Sequence, residues 1–181
     1  MKKFSVVFLS TIFMGCINVP DYVPKVDSTV ASIAISSTND STKTTVRTLA
    51  GFVFEGKCQQ FEEGTRLGNT IKNEGFQELH SAKIPAEKEI TLSVIYGDAR
   101  FNENRACNST VKFSPVENHQ YSAFLEVSDE GMKCSLSIQD ETLKEVVSLS
   151  IPEYACEVQG VAPYKNMQPA ITEYEFKVQY R

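Results

Sequence analysis

Two histidines, His80 and His119, are the side chains that could act as a base near neutral pH, and five cysteines are the candidate nucleophiles, ligands or bridges. Two histidines are too few for a metal cluster. Neither stands beside a recognisable nucleophile, because no G-x-S-x-G elbow, H-E-x-x-H pair or phosphate-binding glycine loop occurs in the chain. His119 falls in an expected turn, Glu117-Asn118-His119-Gln120, and His80 precedes Lys83-Ile84-Pro85. Asp98, Asn102, Glu103 and Asn104 gather oxygen ligands after an expected strand, but their spacing is not that of a calcium loop with ligands at alternate positions. With Arg100 and Arg105 among them, they read as a solvated turn in which bases offset acids. No catalytic residue, metal site or cofactor is nominated. An enzyme would need His80, His119, Asp98 or Glu103 to converge in a cleft.

The cysteines read as structural. Cys58, Cys107, Cys134 and Cys156 form no C-x-x-C and have no histidine at metal-ligand spacing, so two disulfides in an oxidising compartment are expected. Each shares parity with the apolar residues of its own segment: Cys107 with Val111 and Phe113, Cys134 with Leu136 and Ile138, Cys58 with Phe52 and Phe54, Cys156 with Tyr154 and Val158. All four are therefore expected to point into the core. Three pairings are open to four cysteines. Closing a meander and tying an early strand to a late one favours Cys107 with Cys134 and Cys58 with Cys156.

The elements that would position these residues are strands. Ile90, Leu92, Val94 and Tyr96 share one face, and Tyr174, Phe176, Val178 and Tyr180 alternate with Glu173, Glu175, Lys177 and Gln179, which is the pattern of strands with one wet face. Thr110–Phe113, Gln120–Val127 and Met132–Ile138 form an apparent meander, with turns near Pro115 and at Asp129-Glu130-Gly131. Further strands are expected at Val30–Ile35, Thr44–Leu49, Phe52–Phe54, Leu143–Ile151 and Tyr154–Val158. Gln59–Ser81, with three glycines, is the least regular stretch and could hold a short helix around Asn69–Glu74. This stretch and Gln159–Pro169 are the two long loops. The fold class is mainly β, an antiparallel β-sandwich of immunoglobulin-like or transthyretin-like kind with few or no helices.

The N-terminus speaks of address. Met1-Lys2-Lys3 is positive, Phe4–Met14 is an apolar run of 11 residues, and Gly15 is small, which is the layout of a secretory signal peptide too short to span a bilayer. Gly15-Cys16, preceded by Phe13 and Met14, resembles the lipobox of bacterial lipoproteins. The resemblance covers residues 1–18. It implies cleavage before Cys16, acylation of Cys16 as a membrane anchor and, with Ile17 rather than Asp next, an outer-membrane address. Acylation would also remove the odd cysteine.

Residues 1–15 then form the signal peptide, 16–28, with Pro20 and Pro24, an extended lipidated tether, and 29–181 a single domain. The 181 residues carry 18 basic against 23 acidic side chains, a formal net charge of -5, which argues against a nucleic-acid surface. The expected partners are the membrane through Cys16 and an envelope protein or glycan. The reading that follows is a non-catalytic binding or assembly module. An enzyme of unrecognised design, or an inhibitor that adds a strand to a partner's sheet edge, are the alternatives.

Overall fold

The computed structural model describes residues 21–39, 46–55, 65–72, 76–128, 131, 133–156, 166–167 and 169–173. Its strands are β1 (Val30–Asn39), β2 (Val46–Phe54), β3 (Arg66–Lys72), β4 (Gln77–Pro85), β5 (Ile90–Ala99), β6 (Glu103–Phe113), β7 (Gln120–Ser128), β8 (Lys133–Asp140), β9 (Glu145–Val146) and β10 (Pro169–Glu173). They form two five-stranded sheets, ordered β4-β1-β7-β8-β9 and β10-β6-β5-β2-β3. The sheets face one another as a β-sandwich. No helix long and apolar enough to cross a membrane occurs among the described residues.

Alternation builds the core as expected. Ala31, Ile33 and Ile35 meet Ile90, Leu92, Val94 and Tyr96, together with Tyr121, Ala123, Leu125, Val127, Leu136 and Ile138. Gly51 lies where the sheets approach most closely; a Cβ there would collide with Cδ1 of Ile35. Cys107 and Cys134 are disulfide-bonded, with Cα atoms 6.4 Å apart, and tie β6 to β8 across the core.

Several expectations need correction. The sandwich is not wholly antiparallel: β1 pairs with β7 in parallel, from Ser32 opposite Gln120 to Asn39 opposite Val127. Gln59–Ser81 holds no helix among its described residues, but β3 and the start of β4. The irregularity that concealed β4 is a bulge. Ile33 pairs with Ala82 and Ile35 with Leu79, so one extra residue on β4 shifts its inward set from Gln77 and Leu79 to Ile84. The described part of Thr44–Leu49, from Val46 on, and Phe52–Phe54 belong to one strand, β2, which is buried on both faces and so shows no alternation. Leu143–Ile151 shrinks to the two residues of β9, and no strand occupies 154–156. Residues 174–181 lie outside the described residues.

Inward and outward parity also differ from expectation on β2. Leu49 and Val53 enter the core between the sheets, whereas Ala50, Phe52 and Phe54 face the other way and bury against Cys156 and Ile95. Cys156 is disulfide-bonded, but on this outer face rather than in the main core. Its expected partner, Cys58, lies outside the described residues.

The polar side chains beneath Cys156 close a ring. Cys156 N–H donates to Thr110 Oγ1 at 3.0 Å, Ser93 Oγ donates to Asn108 Oδ1 at 2.8 Å, and Asn108 Nδ2 donates to the Cys156 carbonyl at 2.9 Å. With the Ser93 proton committed to Asn108, the remaining 2.9 Å contact must run from Thr110 Oγ1 to Ser93 Oγ. Every hydroxyl then donates once and accepts once. Ser93, Asn108 and Thr110 are buried in full, so this closure is what makes their position on an apolar face tolerable.

Strand directions give the sandwich two ends. β1, β3, β5 and β7 finish, and β2, β4, β6 and β8 begin, at the far end. The near end is where β1 starts and the N-terminal segment attaches. There Tyr22 N–H donates to the Arg66 carbonyl at 2.7 Å and Arg66 Nε to Asp21 Oδ1 at 2.8 Å. The tether expected over 16–28 is therefore fastened to β3 at Asp21 and Tyr22.

Candidate functional site

Polar side chains at core parity mark the far end. On the inward face, Arg47 of β2, Asp98 of β5 and Arg105 of β6 lie side by side in register, continuing the rows of Leu49, Tyr96 and Cys107. Asp98 is buried, and its Oδ2 accepts from Arg100 Nε at 2.9 Å and Arg100 Nη2 at 2.8 Å. Glu103 Oε1 in turn meets Arg100 Nη1 at 3.2 Å and Arg105 Nη2 at 2.7 Å. The Arg100 amide donates to the Glu103 carbonyl at 2.9 Å, closing the β5–β6 turn. Asp98 and Glu103 thus lie on strands rather than in a loop, and both are engaged by guanidinium groups. Among the described residues, no group of His, Cys, Asp and Glu could hold a metal ion.

The opposite sheet supplies neutral groups to the same end. Ser37 on β1 and Gln77 on β4 are directly paired and buried. Among the described residues, Ser37 Oγ, both amide atoms of Gln77 and Asp98 Oδ1 have no hydrogen-bond partner. A buried polar group left unpaired costs about 1–3 kcal/mol, so gathering three such side chains at one end loads strain there. The rim above is apolar. Val46 at the start of β2, Ile71 near the end of β3, Phe76 before β4 and Phe101 at the β5–β6 tip are exposed, Phe101 by 87%.

The near end holds the histidine. His119 Nδ1 is 2.7 Å from Asp140 Oδ2, and Asp140 Oδ1 accepts from the amides of Thr142 at 2.9 Å and Leu143 at 3.1 Å. Burial pushes the Asp140 carboxyl up, but the His119 hydrogen bond and the two amides outweigh it and hold it below its usual value. Ionised Asp140 makes Nδ1 of His119 the donor. The Tyr121 ring stacks against His119, its centroid 6.3 Å away. Burial raises the Tyr121 phenol; the Val116 amide that donates to it pulls the other way.

Such a pair can orient an imidazole for base chemistry. Among the described residues, however, His119 has no hydroxyl or thiol partner, and Asp140 is engaged in capping the turn after β8. The structure brings His119 to a carboxylate, leaves His80 exposed on β4 and leaves Asn102 exposed in the β5–β6 turn. Tyr22 packs on the core and Phe101 projects from its turn; Tyr164 and Lys165 lie outside the described residues. Ser37, Gln77 and Arg47 were not singled out by sequence. The available signal was a polar residue where strand alternation demanded an apolar one.

No family model, curated protein or solved structure matches the chain. Function must therefore be argued from the two ends of the sandwich.

Proposed function

We propose that the chain is an outer-membrane lipoprotein acylated at Cys16, whose sandwich is a non-catalytic binding module presenting its far end to another envelope protein or a glycan. The observation that carries this reading is the opposition of the two ends. Asp21 and Tyr22 fasten the N-terminal segment at one end, and exposed Ile71, Phe76 and Phe101, with buried Gln77 and Ser37 that have no hydrogen-bond partner among the described residues, stand at the other. An anchor at Cys16 would therefore turn the rim away from the bilayer.

Two experiments test the two halves. Intact-mass analysis of membrane-extracted protein should give a chain that begins at Cys16 and carries acyl groups, absent from a Cys16→Ala variant. An unacylated soluble product would sink the anchor. Photo-crosslinking in intact cells, from a reactive residue placed at Phe101 or at Leu143, should give a defined adduct from Phe101 alone. Equal labelling from both ends, or none from Phe101, would overturn the binding role of the far end.

A further inference from the structure

The near end has an apolar edge of its own. Tight turns follow one another along the first sheet: Lys25–Ser28 before β1, Val116–His119 before β7 and Glu141–Lys144 after β8. Each is closed by one residue in the left-handed region, Asp27 at φ 68°, Asn118 at 62° and Lys144 at 61°. Each also raises one aliphatic side chain into solvent: Val26, exposed by 91%, Val116 and Leu143. Val23, exposed by 78%, stands in the same segment as Val26. β1, β7 and β8 are adjacent strands about 4.8 Å apart, so the three turns that carry these side chains stand in a row at this end.

Single exposed valines need no explanation, but a row at the site of attachment does. The Asp21–Arg66 bridge is parallel, so the direction from Tyr22 back to Asp21 points toward the near end. Cys16 precedes Asp21 by five residues, which reach about 17 Å when fully extended. A lipid on Cys16 would hold this edge at the headgroups.

We infer that the row of Val23, Val26, Val116 and Leu143 is a membrane-docking surface, seated in the boundary between headgroups and acyl chains of a phospholipid bilayer. The inference rests on the acylation proposed above. The edge's charges say which kind of contact this is. Lys25, Lys88 and Lys144 stand beside Asp27, Glu87, Glu117 and Glu141, so no cationic face is offered to anionic lipid. Docking is apolar, insensitive to salt, and dependent on the tether to keep a weakly inserting edge at the surface.

The chain contains no tryptophan, so one introduced residue reports alone. Val26→Trp and Phe101→Trp variants of the acylated full chain are reconstituted into phosphatidylcholine vesicles brominated high on the acyl chain. Emission of the Val26→Trp protein should fall at least twofold relative to unbrominated vesicles and stay there at 1 M salt, while Phe101→Trp is unchanged. Adding Asp21→Ala and Arg66→Ala should restore much of the Val26→Trp emission. A Val26→Trp protein that is acylated and pellets with the vesicles, yet is not quenched, overturns docking and leaves the anchor standing. A protein that is neither acylated nor vesicle-bound overturns both.

Discussion

The carboxamide of Asn166 binds both main-chain groups of Thr110: its Oδ1 accepts from the Thr110 amide at 2.8 Å and its Nδ2 donates to the Thr110 carbonyl at 2.6 Å. β10 pairs with β6 only from Glu103 to Cys107, and Asn166 takes the place of a neighbouring strand just beyond. Ser150 does the same at Lys112, with hydrogen bonds in both directions. Side chain and short bridge thus cover an edge that would otherwise be open to strand addition.

Asn166→Asp should therefore destabilise the fold out of proportion to its size. The change removes the donor to Thr110 and to the Pro152 carbonyl and places an acceptor against both. A loss of about 1–3 kcal/mol is expected in chemical denaturation, with faster amide exchange at Thr110. Unchanged stability would show that the edge is held by other contacts.

The Cys107–Cys134 bridge encloses a separation of 27 residues, for which chain entropy gives a stabilisation of about 3–4 kcal/mol. A Cys107→Ala/Cys134→Ala variant should show a lower denaturation midpoint and a steeper slope, because the unfolded chain is no longer held compact. A midpoint equal to the parent's would mean that packing between β6 and β8 suffices.

Asp98 and Arg100 are both buried, so the pair is costly to break from one side. Asp98→Ala leaves the buried Arg100 guanidinium with Glu103 but without its two bonds to Asp98, and should cost about 3 kcal/mol. Adding Arg100→Leu should recover part of that loss, because no buried guanidinium is then left short of partners. Additive losses in a double-mutant cycle would show that the two side chains are not coupled.

Asp140 sets an acid limb to stability. Its folded carboxyl lies below the unfolded value of about 4, so its contribution is complete above that pH and is lost as pH falls through the folded value. The stability gap between the parent and Asp140→Asn should close as pH falls below about 4. The alkaline side has the opposite sign. Burial, then Glu55, pushes the Tyr22 phenol up to about 12, so stability is lost as pH rises from about 10 to 12, and Tyr22→Phe should abolish that limb. Parallel pH profiles for parent and variant in either window would show that the group's environment is the same in the folded and unfolded chain.

Where a strand had one dry face, its sequence showed it. β7 and β8 alternate cleanly because each packs one side on the core, β5 alternates in residue type although Thr91 and Ser93 on its other side are buried too, and Cys107 and Cys134 could be paired from the strands that carry them. The reading failed where that premise failed. β2 is buried on both faces, β4 changes parity at its bulge, and β3 is a half-exposed edge strand interrupted by Gly68. Phe52, Phe54 and Cys156 were assigned to the main core because alternation reveals a shared face but not which side of the sheet that face lies on. The parallel partnership of β1 and β7 is set by long-range topology and leaves no local mark. Asp98 and Glu103 were visible as a cluster; their pairing with arginine needed the hairpin, and Gln77 and Ser37 needed the opposite sheet.

That parallel pairing also orders events in time. Ser32 and Gln120 are neighbours in space but roughly 90 residues apart in the chain. β1 comes first in the chain, yet its place between β4 and β7 can be filled only when close to half of the chain has followed it. The β5–β6 hairpin, closed by a turn of three residues, needs no such wait. Folding should therefore nucleate in the second sheet and be slow in the first, with the oldest strand among the last to find its mate.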